Sequence, residues 1–253
     1  MRGAIAMLKL GTYSIAGRCR RTGMFGVAVS TAVPAAGPLV TFAKSGVGAV
    51  ATQSWVNVYL GIDGLKLLDQ GIGAEEALRR LVEGDSGRDV RQVGVVDRQG
   101  RSAAWSGPAC TPWFGHRTGA DYAAQGNMLV GEATVAAMAE AFEQNASLDL
   151  AERLLVALEA GQAAGGDKRG RQSAALYVVD KEEYPLVDLR VDEHPYPVAE
   201  LRRIFEIAKQ QLLPFVEGLP NRADQQGHIG EDVAAMLLTP PPQRPGGGGS
   251  APD

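Results

Sequence analysis

The sequence has few cysteines, no long hydrophobic run and no strongly basic segment, and each absence excludes a class of protein. Its two cysteines, Cys19 and Cys110, are too few for a disulfide framework. No apolar stretch reaches the roughly 20 residues that cross a bilayer, and the N-terminal segment makes a poor secretory signal peptide. The net charge of −4 gives no electrostatic support for nucleic-acid binding. We therefore expect a cytoplasmic protein with no nucleic-acid or membrane partner.

Several common catalytic signatures are also missing. The sequence has no Gly-x-x-x-x-Gly-Lys-Ser/Thr phosphate loop, no Gly-x-Ser-x-Gly nucleophile elbow and no His-Glu-x-x-His zinc motif. Its three histidines, His116, His194 and His228, are widely separated. A serine–histidine–acid triad or a histidine zinc site is hard to assemble from them, so we expect no metal and no cofactor.

The hydrophobic pattern alternates pairs of strands with pairs of helices. Strand pairs are predicted at 13–17 with 24–31, 38–43 with 47–52, 91–96 with 102–105, and 173–179 with 186–191, with a further extended segment at 121–130. Helices are predicted at 60–69, 74–82, 135–142, 150–158 (ended by Gly161) and from Pro197. Because hairpins join the strands, the pattern favours antiparallel sheets over a doubly wound parallel sheet. The predicted fold is α/β (α+β), a four-layer αββα sandwich of two antiparallel sheets.

The chain divides into three predicted segments. Residues 1–11 are expected to be a leader or a misassigned start, and residues 12–215 form the folded domain. Residues 216–253 end in TPPPQRPGGGGSAPD, and so much proline and glycine predicts disorder. A weak helical turn at 232–238 is expected to interrupt this tail.

The first strand carries the most informative candidate for chemistry. In GTYSIAG, Thr12 opens the strand and follows Gly11. A threonine at a free N-terminus can attack a carbonyl while its own α-amine, with a pKa of about 7.7 to 8.0, takes the proton. The preceding glycine leaves the peptide bond unhindered for self-cleavage. A Gly-Thr pair is also an ordinary strand start, so the local pattern leaves both interpretations open.

Three further residues are candidates because of their types and positions. Lys44 ends the third strand, 32 residues after Thr12, and its charge could lower the pKa of a neighbouring hydroxyl or amine; a solvent-facing strand end is the alternative. Gln125 and Asn127 alternate with small residues in YAAQGNML, as donors to an oxyanion would. Amides that cap backbone groups would give the same pattern.

Two loops complete the set of candidate residues. In GQAAGGDKRGRQSAAL, Asp167 is expected to orient a terminal amine, and Arg169, Arg171 and Gln172 to bind substrate. A polar surface loop is the alternative interpretation. In CTPWFGHRTG, His116 lies among aromatic residues that could wall a substrate pocket or cap the edge of the sandwich.

Ordered blocks of sequence also match a known family. They are TYSIAG, GVAVST, SGVGAVATQ, RQVGVVD, GHRTG, YAAQGNML, GGDKRGRQSAAL and VDLRVDEHPYPVAELRRIF, over roughly 12–205. Through these blocks the chain resembles the prokaryotic family called domain of unknown function 1028. The resemblance implies the sandwich fold of N-terminal-nucleophile (Ntn) hydrolases, a superfamily that cleaves amide bonds with an N-terminal Thr, Ser or Cys.

Proteasome-like members of that superfamily allow a closer comparison. They free their nucleophile by self-cleavage at a Gly-Thr bond and have a strand lysine 32 residues later, which Gly11-Thr12 and Lys44 match. They also have an aspartate on the second strand. A gapless alignment puts Val29 at that position, with Ser30 next to it, which speaks against a proteasome-type mechanism.

Three functions follow as hypotheses, and whether the chain is an enzyme stays open. The first is an amidohydrolase acting on a small amide or amidine-like metabolite, with Thr12 as nucleophile, Lys44 tuning it, and Asp167 orienting the terminus; Gln125 or Asn127 would bind the oxyanion. The second is a non-catalytic sandwich that binds a small anion through Arg169 and Arg171. The third and last-ranked is a peptidoglycan-related amidase. A small-molecule substrate and a homo-oligomer are the expected partners.

Overall fold

A computed structural model describes residues 11–249 of the chain, and the predicted leader lies outside this part except for Gly11. The described part forms ten strands: β1 (Thr12–Arg18), β2 (Phe25–Thr31), β3 (Thr41–Lys44), β4 (Gly48–Ser54), β5 (Arg91–Asp97), β6 (Ser102–Ser106), β7 (Gly115–Gly119), β8 (Tyr122–Asn127), β9 (Ser173–Val179) and β10 (Pro185–Val191). It also forms eight α-helices: α1 (Gly37–Val40), α2 (Val58–Asp69), α3 (Ala74–Gly84), α4 (Ala133–Gln144), α5 (Leu150–Ala163), α6 (Pro197–Gln211), α7 (Leu213–Glu217) and α8 (Glu231–Leu238). Within residues 11–249, every helix is too short or too polar to span a lipid bilayer.

The strands form two antiparallel sheets. The larger has the order β10-β9-β2-β1-β8-β7, and the smaller has the order β3-β4-β5-β6. Strand β1 lies in the middle of the larger sheet, where Thr12 pairs with Thr31 of β2 on one side and with Asn127 of β8 on the other. The first residue of β1 is therefore flanked by two polar side chains.

Side-chain alternation along the strands separates three apolar layers. Tyr13 and Ile15 of β1 pack against helices α4, α5 and α6, whereas Ala16 lies in the layer between the two sheets. The outer face of the smaller sheet packs against α2 and α3. Because successive strand residues point to opposite faces, Thr12 and Ser14 share the side of Ala16. The predicted four-layer αββα sandwich is confirmed.

Two local predictions are wrong. The segment predicted as a strand at 38–43 begins as helix α1, and β3 starts only at Thr41. Pro38 lies in the first turn of α1, where its fixed φ and missing N–H suit a helix start. Gly161 does not end α5 but lies inside it, and a Cβ atom there would be 2.7 Å from the Cγ atom of Met138 on α4. This glycine allows the two helices to approach closely.

The C-terminal segment contains more helix than its composition predicts. Helices α7 and α8 both lie at or beyond residue 213, and α8 covers the predicted weak helical turn. Gln211, at the end of α6, donates hydrogen bonds through Nε2 to the carbonyl oxygens of Pro245 (3.0 Å) and Gly247 (2.6 Å). These contacts connect the segment after α8 to the folded domain.

Candidate functional site

Thr12 lies at the end of the inter-sheet layer, with only 5% of its surface exposed. Its hydroxyl donates a hydrogen bond to the hydroxyl of Thr31, with 3.2 Å between the two Oγ1 atoms. The Thr31 hydroxyl in turn donates to the carbonyl oxygen of Gly11 at 2.5 Å. A hydroxyl can accept and donate at the same time, so Thr12, Thr31 and the Gly11 carbonyl form a continuous hydrogen-bonded chain.

The Gly11 carbonyl oxygen has a second, charged partner. The Nη2 atom of Arg169 donates to it at 2.8 Å. The same guanidinium forms two hydrogen bonds to Asp167, from Nη2 to Oδ2 (2.6 Å) and from Nε to Oδ1 (3.1 Å). This fork-like pairing fixes the plane of the guanidinium. The peptide bond before Thr12 is therefore polarised by a positive charge held in a defined orientation.

Asp167 itself lies against Gly11. Its side chain is 1% exposed, and it also accepts hydrogen bonds from the backbone N–H groups of Arg169 (2.9 Å) and Ala32 (3.3 Å). A Cβ atom on Gly11 would be 2.6 Å from Oδ2 of Asp167, which is too close for any real side chain. The structure thus brings Asp167 and Arg169, two predicted site residues, to the peptide bond that precedes Thr12.

The loop that carries these two residues is held in place by its backbone. Gly166 and Gly170, on either side of the pair, have φ values of 62° and 111°, a region that glycine occupies without strain. Asp167 forms a β-bridge with Leu129. Gln172 donates from its backbone N–H to the carbonyl oxygen of Thr31 at 2.8 Å. Gln172 therefore contacts the site through its backbone N–H. The sequence predicted instead that its side chain would bind substrate.

A buried set of four amide side chains and one hydroxyl, here called the amide network, joins the two sheets beside Thr12; it consists of Ser14, Gln53, Gln92, Gln125 and Asn127. Gln53 on β4 donates through Nε2 to the carbonyl oxygen of Thr12 (3.2 Å) and to Oε1 of Gln92 (2.7 Å). Asn127 donates through Nδ2 to the same Gln92 oxygen at 2.9 Å. The backbone of Thr12 is thus anchored by the smaller sheet.

The remaining contacts of the amide network determine which of its atoms can bind a ligand. Gln125 donates through Nε2 to the Ser14 hydroxyl (2.7 Å), which donates to Oε1 of Gln53 (2.6 Å). Within the described residues, Oε1 of Gln125 and Oδ1 of Asn127 are buried without a hydrogen-bond partner. The sequence predicted that these amides donate to an oxyanion, and each already donates one of its two N–H groups, Gln125 to Ser14 and Asn127 to Gln92. The two oxygens without a partner are acceptors, which favours a ligand N–H at this place. The oxyanion role of the two amides stays a prediction.

Lys44 is not brought to Thr12. Its Nζ atom lies 2.7 Å from Oδ2 of Asp69, and both side chains are about half exposed. Lys44 pairs with Gly48 at the start of β4, whereas the β4 residue that contacts Thr12 is Gln53. Five residues of extended strand separate Gly48 from Gln53, a distance of about 17 Å. Lys44 therefore lies at the turn end of the β3–β4 hairpin, and Arg169 is a cation that contacts the residue before Thr12.

His116 lies on β7, at the edge of the larger sheet, where a loop was predicted. Its Nδ1 atom is 2.9 Å from the Ser106 hydroxyl, which accepts a hydrogen bond from Nε2 of Gln92 at 2.8 Å. Partial removal of its ring from water lowers the pKa of His116 below its usual value. His116 therefore contacts the outer end of the amide network and not Thr12.

The two arginines predicted to bind an anion have separate partners. Arg169 is paired with Asp167 and Gly11, whereas the guanidinium of Arg171 stacks on the ring of Tyr196 at 4.5 Å from its centre. Arg171, Tyr196 and Gln162 line a cavity whose lining does not include Thr12 or Arg169. These contacts do not favour a shared anion site. Among residues 11–249, no three His, Cys, Asp or Glu side chains are grouped to hold a metal ion.

Sequence reasoning missed Thr31, Gln53 and Gln92. The second-strand position where proteasome-like members have an aspartate is Val29, which packs in the apolar inter-sheet layer, and Ser30 donates to the Ser173 carbonyl oxygen. The polar β2 residue beside Thr12 is Thr31, two positions after Val29. Gln53 and Gln92 could have been recognised as candidates because each is an amide residue in an otherwise apolar strand. An amide in such a strand is buried, and a buried amide is stable only when it is hydrogen-bonded.

Comparison with known proteins gives the chain a family. Residues 12–201 match the family described as "Family of unknown function (DUF1028)". The crystal structure of protein SPO2555 from Silicibacter pomeroyi, assigned to DUF1028, is 31% identical and covers 87% of this chain and 96% of its own, with a TM-score of 0.80. Anbu, an ancestral β-subunit from Yersinia bercovieri, is 14% identical, with a TM-score of 0.34 over 83% of this chain and 98% of its own. No functionally curated protein matches. The chain belongs to the DUF1028 family.

Proposed function

We propose that this protein is an N-terminal threonine hydrolase that cleaves the C–N amide bond of a small metabolite. One observation carries the proposal: charged groups are gathered around the peptide bond whose cleavage makes Thr12 the first residue. The Asp167 carboxylate lies against the Cα atom of Gly11, and the Arg169 guanidinium binds the Gly11 carbonyl oxygen. A strand start with only a structural role does not require a buried ion pair at this place.

Thr12 and its own amine form the reactive pair. When Thr12 is the first residue, its α-amine takes the hydroxyl proton as Oγ1 attacks the substrate carbonyl. Asp167 then faces the space that Gly11 leaves and holds the amine by a hydrogen bond. The positive charge of Arg169 balances the carboxylate. This limits how far Asp167 raises the pKa of the amine, which must be neutral to act as a base near pH 8.

The position of the Gly11 carbonyl indicates how a substrate carbonyl binds. Its oxygen accepts hydrogen bonds from Arg169 and Thr31. A substrate whose carbonyl takes this place meets the same two donors, which stabilise the negative charge that develops during attack. Arg169 and Thr31 therefore take the oxyanion role that the sequence suggested for Gln125 or Asn127.

Asn127 supports a substrate with an N–H group. Its Oδ1 atom is fully buried on the strand next to Thr12 and has no partner among the described residues. Leaving such an acceptor unpaired costs about 1 to 3 kcal/mol, and a substrate N–H removes that cost. An amide or amidine with an N–H beside the scissile bond fits this acceptor better than an ester does.

The proposal is tested with chains that begin at residue 12, released from a removable N-terminal fusion. The chain with Thr12 and the Thr12→Ala chain are incubated with a panel of small amides and amidines, and amine release is measured. We expect the alanine chain to be at least about a thousandfold slower, because the covalent route is lost. Thr12→Ser, which keeps the hydroxyl, is the matched control and should form a detectable acyl-enzyme by mass. Equal turnover by the alanine chain would refute the nucleophile.

A further inference from the structure

We infer that Gln92 is a positioning residue that gives the site its preference for substrates with an N–H group. It holds the carboxamide of Asn127 in the orientation that directs the nitrogen to Gln92 and leaves the oxygen free to accept a hydrogen bond. The inference rests on the proposed function, which places the reacting bond at Thr12. The orientation is set by backbone carbonyl groups, which accept hydrogen bonds and never donate them.

Two backbone carbonyl groups fix the orientation of the Gln92 side chain. Its Nε2 atom donates to the carbonyl oxygens of Gly126 (2.8 Å) and Gly115 (3.0 Å). Because both of these oxygens are acceptors, the atom that faces them must be the amide nitrogen. Gln92 is fully buried, and reversing its amide would place its oxygen against two carbonyl oxygens. The other end of the Gln92 side chain is therefore an acceptor.

The Oε1 atom of Gln92 requires donors, and it has two. Gln53 donates to it through Nε2 at 2.7 Å, and Asn127 donates through Nδ2 at 2.9 Å. The orientation of Gln53 has a second cause, because the same Nε2 atom also donates to the carbonyl oxygen of Thr12 at 3.2 Å. Within residues 11–249, the Asn127 carboxamide forms no other hydrogen bond. Its orientation therefore depends on Gln92.

The side chain of Asn127 lies beside that of Thr12. The two residues are directly opposite each other in the ladder between β8 and β1, and such pairs point to the same face of a sheet, with Cβ atoms about 4.5 to 5.5 Å apart. A substrate bound at Thr12 thus brings its N–H group close to the unpaired Oδ1 atom of Asn127. An ester, which has an oxygen in place of the N–H, leaves this acceptor unpaired.

Gln125 has the other unpaired oxygen, but its surroundings differ. It lies two residues before Asn127 on β8, opposite Ser14. A Cβ atom on Gly94 would be 2.1 Å from Oε1 of Gln125, so the backbone of β5 packs directly against this oxygen. Asn127 is the last residue of β8 and lies at the strand end that pairs with Thr12. Asn127 is therefore the acceptor assigned to the substrate.

Nuclear magnetic resonance of the full chain tests the orientation of Asn127. Two N–H groups that donate to one oxygen each have a proton about 2 Å from it, so the two protons lie within about 4 Å of each other. We therefore expect a nuclear Overhauser effect between side-chain amide protons of Asn127 and Gln53. A reversed Asn127 carboxamide would direct its nitrogen away from Gln92 and would not give this effect. Its absence from the wild-type chain would overturn the inference.

The substrate preference is measured with chains that begin at residue 12. The probes are para-nitroacetanilide and para-nitrophenyl acetate, which have an N–H and an oxygen, respectively, at the scissile bond, and the readout is the amide-to-ester ratio of kcat/KM. Gln92→Met, which has a similar shape without the amide, should lower this ratio by about tenfold or more. Gln92→Glu keeps an acceptor for Asn127 and should stay within a few fold of wild type. Ser106→Ala is the control, because it removes one acceptor of Gln92 and leaves the two carbonyl groups.

The outcomes separate this inference from the proposed function. A folded Gln92→Met chain that cleaves both probes with the wild-type ratio would overturn the inference and leave the proposed function standing. Near-UV circular dichroism checks folding, and if Gln92→Met does not fold, the nuclear Overhauser effect in the wild-type chain decides the inference. A wild-type chain that cleaves neither probe would count against the proposed function. The nuclear Overhauser effect would still decide the orientation of Asn127, because that measurement needs no turnover.

Discussion

Gly11 and Asp167 are in such close contact that position 11 has no room for a side chain. A Cβ atom on residue 11 would lie 2.6 Å from Oδ2 and 2.8 Å from Cγ of Asp167. The carboxylate is also paired with the guanidinium that binds the Gly11 carbonyl. Residue 11, the carboxylate and the guanidinium therefore form one packed unit, and a change at position 11 affects all three.

Gly11→Ala should destabilise the folded protein. The added methyl group displaces either the buried Asp167 carboxylate or the residue-11 carbonyl, and overpacking at a buried position costs about 1 to 3 kcal/mol. Urea denaturation measures the loss. Gly84→Ala is the control, because a Cβ atom at Gly84 meets nothing within 4 Å. A Gly11→Ala chain as stable as wild type would show that Asp167 can move aside without cost.

Lys44→Met should leave catalysis unchanged and stability almost unchanged. The ion pair of Lys44 with Asp69 is exposed on both sides, and such pairs contribute about 0.2 to 1 kcal/mol. We expect amide turnover within twofold of wild type and a loss of less than about 1 kcal/mol in urea unfolding. A tenfold loss of turnover would restore the role that the sequence spacing suggested for Lys44.

Gly94→Ala should destabilise the protein by disturbing the amide network. A Cβ atom on Gly94 would lie 2.1 Å from Oε1 of Gln125, whose Nε2 atom bonds to Ser14. Overpacking at such a buried position costs about 1 to 3 kcal/mol. Urea denaturation measures the loss, again with Gly84→Ala as the control. A variant as stable as wild type would mean that the Gln125 side chain can move aside freely.

Asp97 should make stability sensitive to acid. Burial alone would raise the pKa of Asp97, but hydrogen bonds from the Ala74 N–H at the start of α3 and from Arg101 hold it below its usual value. The contribution of a carboxylate with a lowered pKa is complete above the unfolded-state value of about 3.9 and is lost as the pH falls through the folded-state value. Compared with Asp97→Asn, wild type should have an advantage in unfolding free energy at pH 6 that shrinks below about pH 4. Parallel pH profiles for the two proteins would contradict this prediction.

The architecture could be predicted because short apolar runs, turn residues and helical periods are all local features of the sequence. Strands β1, β2 and β5 are buried on both faces and appear in the sequence as short runs of small and β-branched residues beside turn residues. Helix α3 shows a helical period of apolar residues. Helix α1 could not be predicted in this way, because four residues are too few to show a helical period. Gly161 was misread because a helix-ending glycine and a glycine at a helix–helix contact look the same along the chain.

The site could be predicted only where a motif carries it. Thr12 and Asp167 came from local segments, whereas the contact between Gln53 and Gln92 joins residues 39 positions apart on different strands. No local pattern states which buried amides meet across a sheet. Lys44 shows the converse: a spacing of 32 residues matched, but a spacing does not state the register, which places the lysine at the turn of the β3–β4 hairpin and beside Asp69.

The amide network also has a consequence for how the two sheets stack. The hydrophobic effect is non-directional, so apolar burial by itself specifies the relative position of two sheets less strictly than hydrogen bonds do. Here a slip by one residue pair would separate Ser14 from Gln53 and Asn127 from Gln92, which are contacts between the two sheets, and each polar group left unpaired costs about 1 to 3 kcal/mol. The polar groups beside Thr12 thus favour one relative position of the two sheets. If the two sheets were shifted, the free-energy cost of unpaired polar groups would fall beside Thr12, where the proposed reaction requires its atoms to be in place.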